Sequence, residues 1–224
     1  DDRLPIAELV AAGGAVTLIA TPNSPSGHIV PLDDLRKLAS RVSGILAIDE
    51  AYVDFADYTA LSLVQEFENV IILRTLSKGY SLAGLRLGFG IANPQLLSNL
   101  FKVKDSYNVD ALAILIGAAA MQDQAYKNNC AAKIKRSRSK LTIDLREIGF
   151  KVRDSQGNFL LVTPPNNQAA EIYQALKAQN ILVRYFDSPG LSDKLRITVG
   201  TDEQNQKLLQ AINRYLLQQF LISY

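Results

Sequence analysis

Val70-Ile-Ile-Leu-Arg-Thr-Leu-Ser-Lys78 begins as an apolar run and ends in hydroxyl and charged side chains. Two earlier stretches have the same form: Val16–Ala20 leads into Thr-Pro-Asn-Ser-Pro-Ser-Gly27, and Ile45–Ile48 into Asp-Glu-Ala-Tyr52. Such runs are short and partly β-branched, and the stretches between them are long enough for crossover helices, which predicts parallel strands of an α/β sheet. Ligands of such sheets bind beyond the carboxyl ends of the strands, so three polar tails on consecutive strands converge on one crevice. Leu87–Ala92 reads as a fourth strand of either direction.

From Pro94 the periodicity turns helical, with helices expected over 96–104 and 110–122 and a long one through Ile148. Strands are expected at 150–153, 159–162, 181–184 and 195–199, with a helix over 171–179 among them. A capping box, Thr201-Asp-Glu-Gln204, opens a final amphipathic helix. The expected division is 1–122, part of a large cofactor-binding domain, and 123–224, a linking helix with a small α/β domain.

The 224 residues carry a formal charge of +2, which gives no footprint for nucleic acid, and the basic run from Lys133 to Lys140 reads as a solvated helix face. One cysteine, Cys130, excludes an internal disulfide framework and, beside the single histidine, His28, argues against a structural metal site. A reduced, cytoplasmic setting fits. No apolar stretch approaches the roughly 18 residues of a membrane span. Asp1 is the first residue and Met121 the only methionine, so a longer parent protein is expected.

Lys78 is the residue best placed for chemistry. An amine near the carboxyl end of a strand, among hydroxyls and a guanidinium, can condense with an aldehyde while its neighbours hold that aldehyde's phosphate; pyridoxal phosphate needs both. Asp49, at the end of the second run, is suited to keep a pyridine nitrogen protonated, and Tyr52 to hydrogen-bond the ring's phenolic oxygen. Taken alone, Asp49 equally fits a helix cap and Tyr52 a half-buried packing residue; beside Lys78 the functional reading prevails. In an extended tail Thr75 and Ser77 share a side, and with Arg86 returning after a glycine-containing turn they make a phosphate cradle. Asn23, in a loop set by Pro22 and Pro25, is a donor to the phenolic oxygen. The adjacent Ser77-Lys78 pair also suggests a Ser/Lys hydrolase dyad, but no oxyanion loop accompanies it.

The motifs Thr-Pro-Asn-Ser-Pro-Ser-Gly27, Ile-Asp-Glu-Ala-Tyr-Val-Asp-Phe55, Arg-Thr-Leu-Ser-Lys-Gly-Tyr-Ser-Leu-Ala-Gly-Leu-Arg86, Lys-Asp-Ser-Tyr-Asn108 and Leu-Arg-Ile-Thr-Val-Gly-Thr201 stand in one order along nearly the whole chain. In them the sequence resembles the pyridoxal-phosphate-dependent aminotransferases of fold type I, and most closely the branch that acts on histidinol phosphate. The resemblance implies a partial fold type I large domain with a mainly parallel sheet, followed by the small domain. It implies that Lys78 holds pyridoxal 5'-phosphate, Asp49 pairs with its ring nitrogen, Tyr52 touches its phenolic oxygen, and Thr75, Ser77 and Arg86 hold its phosphate. Arg184 and Arg196 are implied to bind the anionic groups of substrate. The implied reaction moves an amino group between L-histidinol phosphate and 2-oxoglutarate in histidine biosynthesis, within a homodimer. Threonine-phosphate decarboxylase, of the same fold, is the neighbouring alternative, and a catalytically silent truncated remnant is a third. The sequence departs from the family at Ser24, where an asparagine is usual, and in having no counterpart of the family's N-terminal part.

Overall fold

The structure, a computed structural model, describes residues 3–222. The outermost ends of the two expected portions, 1–2 and 223–224, lie outside the described residues. The described residues form two compact units, 3–24 with 28–131, and 25–27 with 132–222.

In the first unit, β1 (Val16–Ala20), β2 (Ile45–Asp49), β3 (Val70–Thr75) and β4 (Gly88–Ala92) form one sheet in that order. The first three strands are parallel, and β4 is antiparallel to β3. A helix, α1 (Ile6–Ala11), precedes β1, and α2 (Leu32–Ala39) and the short α3 (Leu63–Glu66) lie in the β1–β2 and β2–β3 crossovers. Ile19, Leu46, Ile48, Val70 and Ile72 point to one face, where they bury against Leu35 and Leu38 of α2 and Leu63 of α3. The alternate residues Val16, Leu18, Ala47, Asp49, Leu73 and Thr75 point to the other face. The unit continues through α4 (Pro94–Val103) and α5 (Ala111–Gln122), capped by the side chains of Asn93 and Asp110, into the first residues of α6 (Gln124–Glu147). Pro94 at the first position of α4 suits a helix start, because its missing N–H has no intrahelical partner there. The expected junction at 122/123 lies at the end of α5, whereas the change of compact unit comes at 131/132, within α6.

The second unit has an antiparallel sheet in the order β5-β6-β8-β7, made of β5 (Lys151–Val152), β6 (Phe159–Thr163), β7 (Arg184–Tyr185) and β8 (Leu195–Thr198). One face of this sheet, with Leu160, Val162, Leu195 and Ile197, packs against Leu141 and Leu145 of α6, Ile172 and Leu176 of α7 (Ala169–Lys177), and Leu208 and Ile212 of α8 (Asp202–Ile222). The capping box forms as expected: Thr201 N–H donates to Gln204 Oε1 (2.9 Å) and Gln204 N–H to Thr201 Oγ1 (3.2 Å). One strand is displaced from its expected place. Residues 181–183 are not extended in a ladder, because Ile181 and Val183 pack against the core from irregular backbone, and pairing begins only at Arg184. Among the described residues no helix is long and apolar enough to cross a membrane.

Candidate active site

Three strand exits carry the side chains singled out in the first unit. Register places Ala20 opposite Asp49, and Asp49 opposite Leu73, so β1 and β2 end level with one another and β3 runs two residues further. The ladder runs on past the last paired residues: Thr21 N–H donates to Asp49 O and Glu50 N–H to Leu73 O, both at 2.9 Å. Asp49 and Thr75 lie on the same face of the sheet, Thr75 two residues beyond Asp49's partner.

Asp49 is half-buried, and its Oδ1 accepts from Ala51 N–H at 2.9 Å, the side-chain-closed turn that swings the chain away from the sheet. That turn brings Tyr52 round, and Lys78 Nζ sits 5.4 Å from the centre of the Tyr52 ring, within cation–π range. Lys78 is itself half-buried, and the backbone at Gly79 passes so close to the Asp54 carboxylate that no β-carbon could be accommodated. Asp54 is held by Lys127 Nζ (3.2 Å), which in turn lies 5.7 Å from the Tyr80 ring centre.

Thr75 and Ser77 come together, though not as an extended tail. Thr75 Oγ1 donates to Ser77 Oγ (2.8 Å) and accepts from Ser77 N–H (3.1 Å), a hydroxyl-closed turn that starts as soon as β3 ends. Buried Leu76 forces that turn by pointing into the interior between the two hydroxyl residues. Leu76 N–H donates to Leu87 O (3.0 Å), which ties the residue after Arg86 to the same turn. Arg86 is exposed, has a left-handed backbone (φ 55°) and donates from Nη1 to Ala83 O at 2.9 Å. After β1, Thr21 is buried with Oγ1 accepting from Val30 N–H (2.9 Å), the Thr21-Pro22 bond is cis, and Asn23 N–H donates to His28 O (2.7 Å). These bonds fix the loop that presents Asn23.

In the second unit, Arg184 and Arg196 stand directly opposite each other on β7 and β8, on the face of the sheet away from the helical core. The Arg184 guanidinium lies 5.4 Å from the Phe186 ring centre, and that of Arg196 lies 5.2 Å from Phe159. Arg184 opens its strand rather than closing it, contrary to the expectation from 181–184.

Sequence reasoning passed over Glu50 and Arg74. Both lie beside residues it chose, and Arg74 Nη2 meets Glu50 Oε2 at 2.8 Å. The only sequence signal was a guanidinium directly after one apolar run and a second carboxylate following Asp49 after another.

The family model for aminotransferases of class I and II matches residues 7–212. This chain belongs to that family. It is 68% identical over 213 residues to histidinol-phosphate aminotransferase 1 of Trichormus variabilis, covering 95% of this chain and 61% of that protein. It is 44% identical over 199 residues to histidinol-phosphate aminotransferase of Citrifermentans bemidjiense, covering 89% of this chain and 57% of the relative. The crystal structure of histidinol-phosphate aminotransferase from Sinorhizobium meliloti, in complex with pyridoxal-5'-phosphate, superimposes with a TM-score of 0.85 at 26% identity, covering 94% of this chain and 61% of that one. The chain thus has the α/β fold of the fold type I enzymes, with a mainly parallel first sheet, and it spans about 60% of the length of curated relatives it matches.

Proposed function

We propose that this chain is the greater part of a pyridoxal-phosphate-dependent aminotransferase that moves an amino group between L-histidinol phosphate and 2-oxoglutarate in histidine biosynthesis, as a cytoplasmic homodimer. The observation that carries the reading is the half-buried Lys78 amine over the Tyr52 ring, at strand exits shared with Asp49, Thr75 and Ser77. The 68% identity to an enzyme named for histidinol phosphate supports the substrate. Residues 1–122 act as the cofactor-binding portion and 123–224 as the linking helix and small domain.

The donor set suits the group: an amine for its aldehyde, a carboxylate for its ring nitrogen, a phenol for its ring oxygen and paired hydroxyls for its phosphate. When bound, pyridoxal phosphate supplies a carbonyl through which amino groups exchange and a protonated ring that accepts electron density. Asp49 holds the proton on the pyridine nitrogen by its fixed charge. Tyr52 and Asn23 donate toward the phenolic oxygen, and Thr75, Ser77 and Arg86 hold the phosphate through charge-assisted hydrogen bonds. Lys78 Nζ would carry the proton from the substrate's Cα as general base and return it as general acid. The two cross-strand arginines, Arg184 and Arg196, receive the anionic groups of phosphate and carboxylate substrates.

Lys78→Ala tests the assignment. After incubation with pyridoxal phosphate and borohydride reduction, the unsubstituted chain is expected to gain one pyridoxyl group and the variant none, as read by intact mass. Glutamate formation from L-histidinol phosphate and 2-oxoglutarate checks the substrates. Carbon dioxide release from threonine phosphate in place of amino transfer would overturn them.

A further inference from the structure

The exits of β2 and β3 carry a second set of side chains that faces the other way. Alternation along the strands puts Glu50 on the reverse face from Asp49, and Arg74 on the reverse face from Thr75. Glu50 is 2% exposed, and its carboxylate accepts from Arg74 Nε (3.0 Å) and Nη2 (2.8 Å), from Thr59 Oγ1 (2.8 Å) and from Ala60 N–H (2.6 Å). Arg74 Nη2 also donates to Thr59 Oγ1 at 2.8 Å, so the guanidinium, carboxylate, hydroxyl and backbone close one network.

We propose that the Glu50–Arg74 ion pair is the positioning device of the active site. It sets the height of the β2 exit against the β3 exit, and so the spacing between Asp49 and the Thr75–Ser77 hydroxyls on the opposite face. The inference rests on the reading of Lys78 and Asp49 as cofactor ligands. Burying a carboxylate is costly, and a well-packed apolar pair would join two strands at least as stably. Two guanidinium N–H groups converging on Glu50 Oε2, with a further bond from Nη2 to Thr59 Oγ1, add what apolar packing does not, directional contacts that fix the angle and distance between the groups that make them. Glu50 and Arg74 are the immediate chain neighbours of Asp49 and Thr75, so movement at the pair passes through one peptide unit to the site.

Two variants test this. Glu50→Gln keeps the size of the side chain but removes its charge; Arg74→Lys keeps the charge but loses the two-pronged contact. Amide hydrogen exchange is followed at Ala51, bonded to Asp49 Oδ1, and at Ser77, bonded to Thr75 Oγ1, with Leu46 and Ile72 in the ladder as internal references. Covalent capture of pyridoxal phosphate by Lys78, with loss of water, is timed alongside. Glu50→Gln is expected to speed exchange at Ala51 and Ser77 at least tenfold, leave Leu46 and Ile72 unchanged, and slow capture at least tenfold. Arg74→Lys should give a smaller change in each. Equal acceleration at all four amides, or none at Ala51 and Ser77, overturns the proposal. Should the unsubstituted chain capture no pyridoxal phosphate, the reading of Lys78 fails on its own, and the exchange pattern still decides whether the pair positions the strand exits.

Discussion

The two units cover their sheets differently. In the second, α6, α7 and α8 close over Leu160, Val162, Leu195 and Ile197, and Phe159 and Leu161 of β6 are buried as well. In the first, α2 and α3 bury one face, while on the other Val16 and Leu18 of β1 stay 58% and 63% exposed. α5 repeats the contrast on a helix. Its sequence, Ala-Leu-Ala-Ile-Leu-Ile-Gly-Ala-Ala-Ala-Met-Gln122, is apolar all round, yet its buried positions are the small residues Ala113 and Gly117 and its exposed ones include Leu112, Ile114, Leu115 and Ile116. A helix of that composition ordinarily lies in an interior. The apolar sheet side chains are therefore covered within the second unit, whose exposed apolar residues, such as Leu182, Leu217 and Phe220, lie off the sheet, and are left partly uncovered within the first. The first is also the unit that holds the Lys78 site.

The comparison is broken or sharpened most directly by two leucines on strands. Leu160, fully buried on β6, should lose about 2–5 kcal/mol of stability on substitution by alanine, from lost transfer energy plus the cavity left behind. Leu18→Ala on β1 should shift stability by no more than about 0.5 kcal/mol, because little of that side chain leaves water on folding. Denaturant unfolding midpoints at a common slope measure both. Equal losses would mean that Leu18 is covered in solution.

Much of this architecture was legible along the chain, and the parts that were not share a physical cause. β1, β2 and β3 stand out because fully or half-buried parallel strands read as apolar runs, and each begins where its run begins. That Asp49 and Thr75 share a face follows from alternation in two paired parallel strands, Thr75 lying two residues beyond Asp49's partner. Pairings that depend on register were invisible. Arg184 and Arg196 face each other only because β7 is short and antiparallel to β8, and Glu50 meets Arg74 only because β2 and β3 run parallel in one particular alignment. The turn at Thr75–Ser77 was read as extended because alternation alone does not reveal that buried Leu76 and a hydroxyl-closed turn take over at the end of β3. Charge in the sequence marks candidates; register decides which of them touch.

A smaller effect is expected at the cap of α8. Thr201 and Gln204 satisfy each other's backbone N–H groups at the start of a helix whose Leu208, Ala211 and Ile212 belong to the closed core of the second unit. Thr201→Ala should cost about 1 kcal/mol, in the usual range for a lost N-cap, as read from the same unfolding midpoints. Thr201→Asn should restore most of it, since asparagine also accepts from the N–H three residues on. A cost near zero in Thr201→Ala would show that the core contacts alone fix where α8 begins.

The smallest change in stability is expected on the outer side of α5. Leu115 is 67% exposed, so Leu115→Ser removes apolar surface that is already in water. Stability should move by no more than about 0.5 kcal/mol, since the lower helix propensity of serine is the main term left. Surface properties should change much more: binding of a hydrophobic dye and self-association in sedimentation should both fall, because Leu112, Ile116 and Leu115 contribute to one exposed apolar helix. The two measurements together decide the matter. A loss of about 2 kcal/mol or more would place the Leu115 side chain in an interior in solution. The contrast between the units would then be one of sequence span rather than of design, with the unfinished face of the first unit closed by chain or partner beyond these 224 residues.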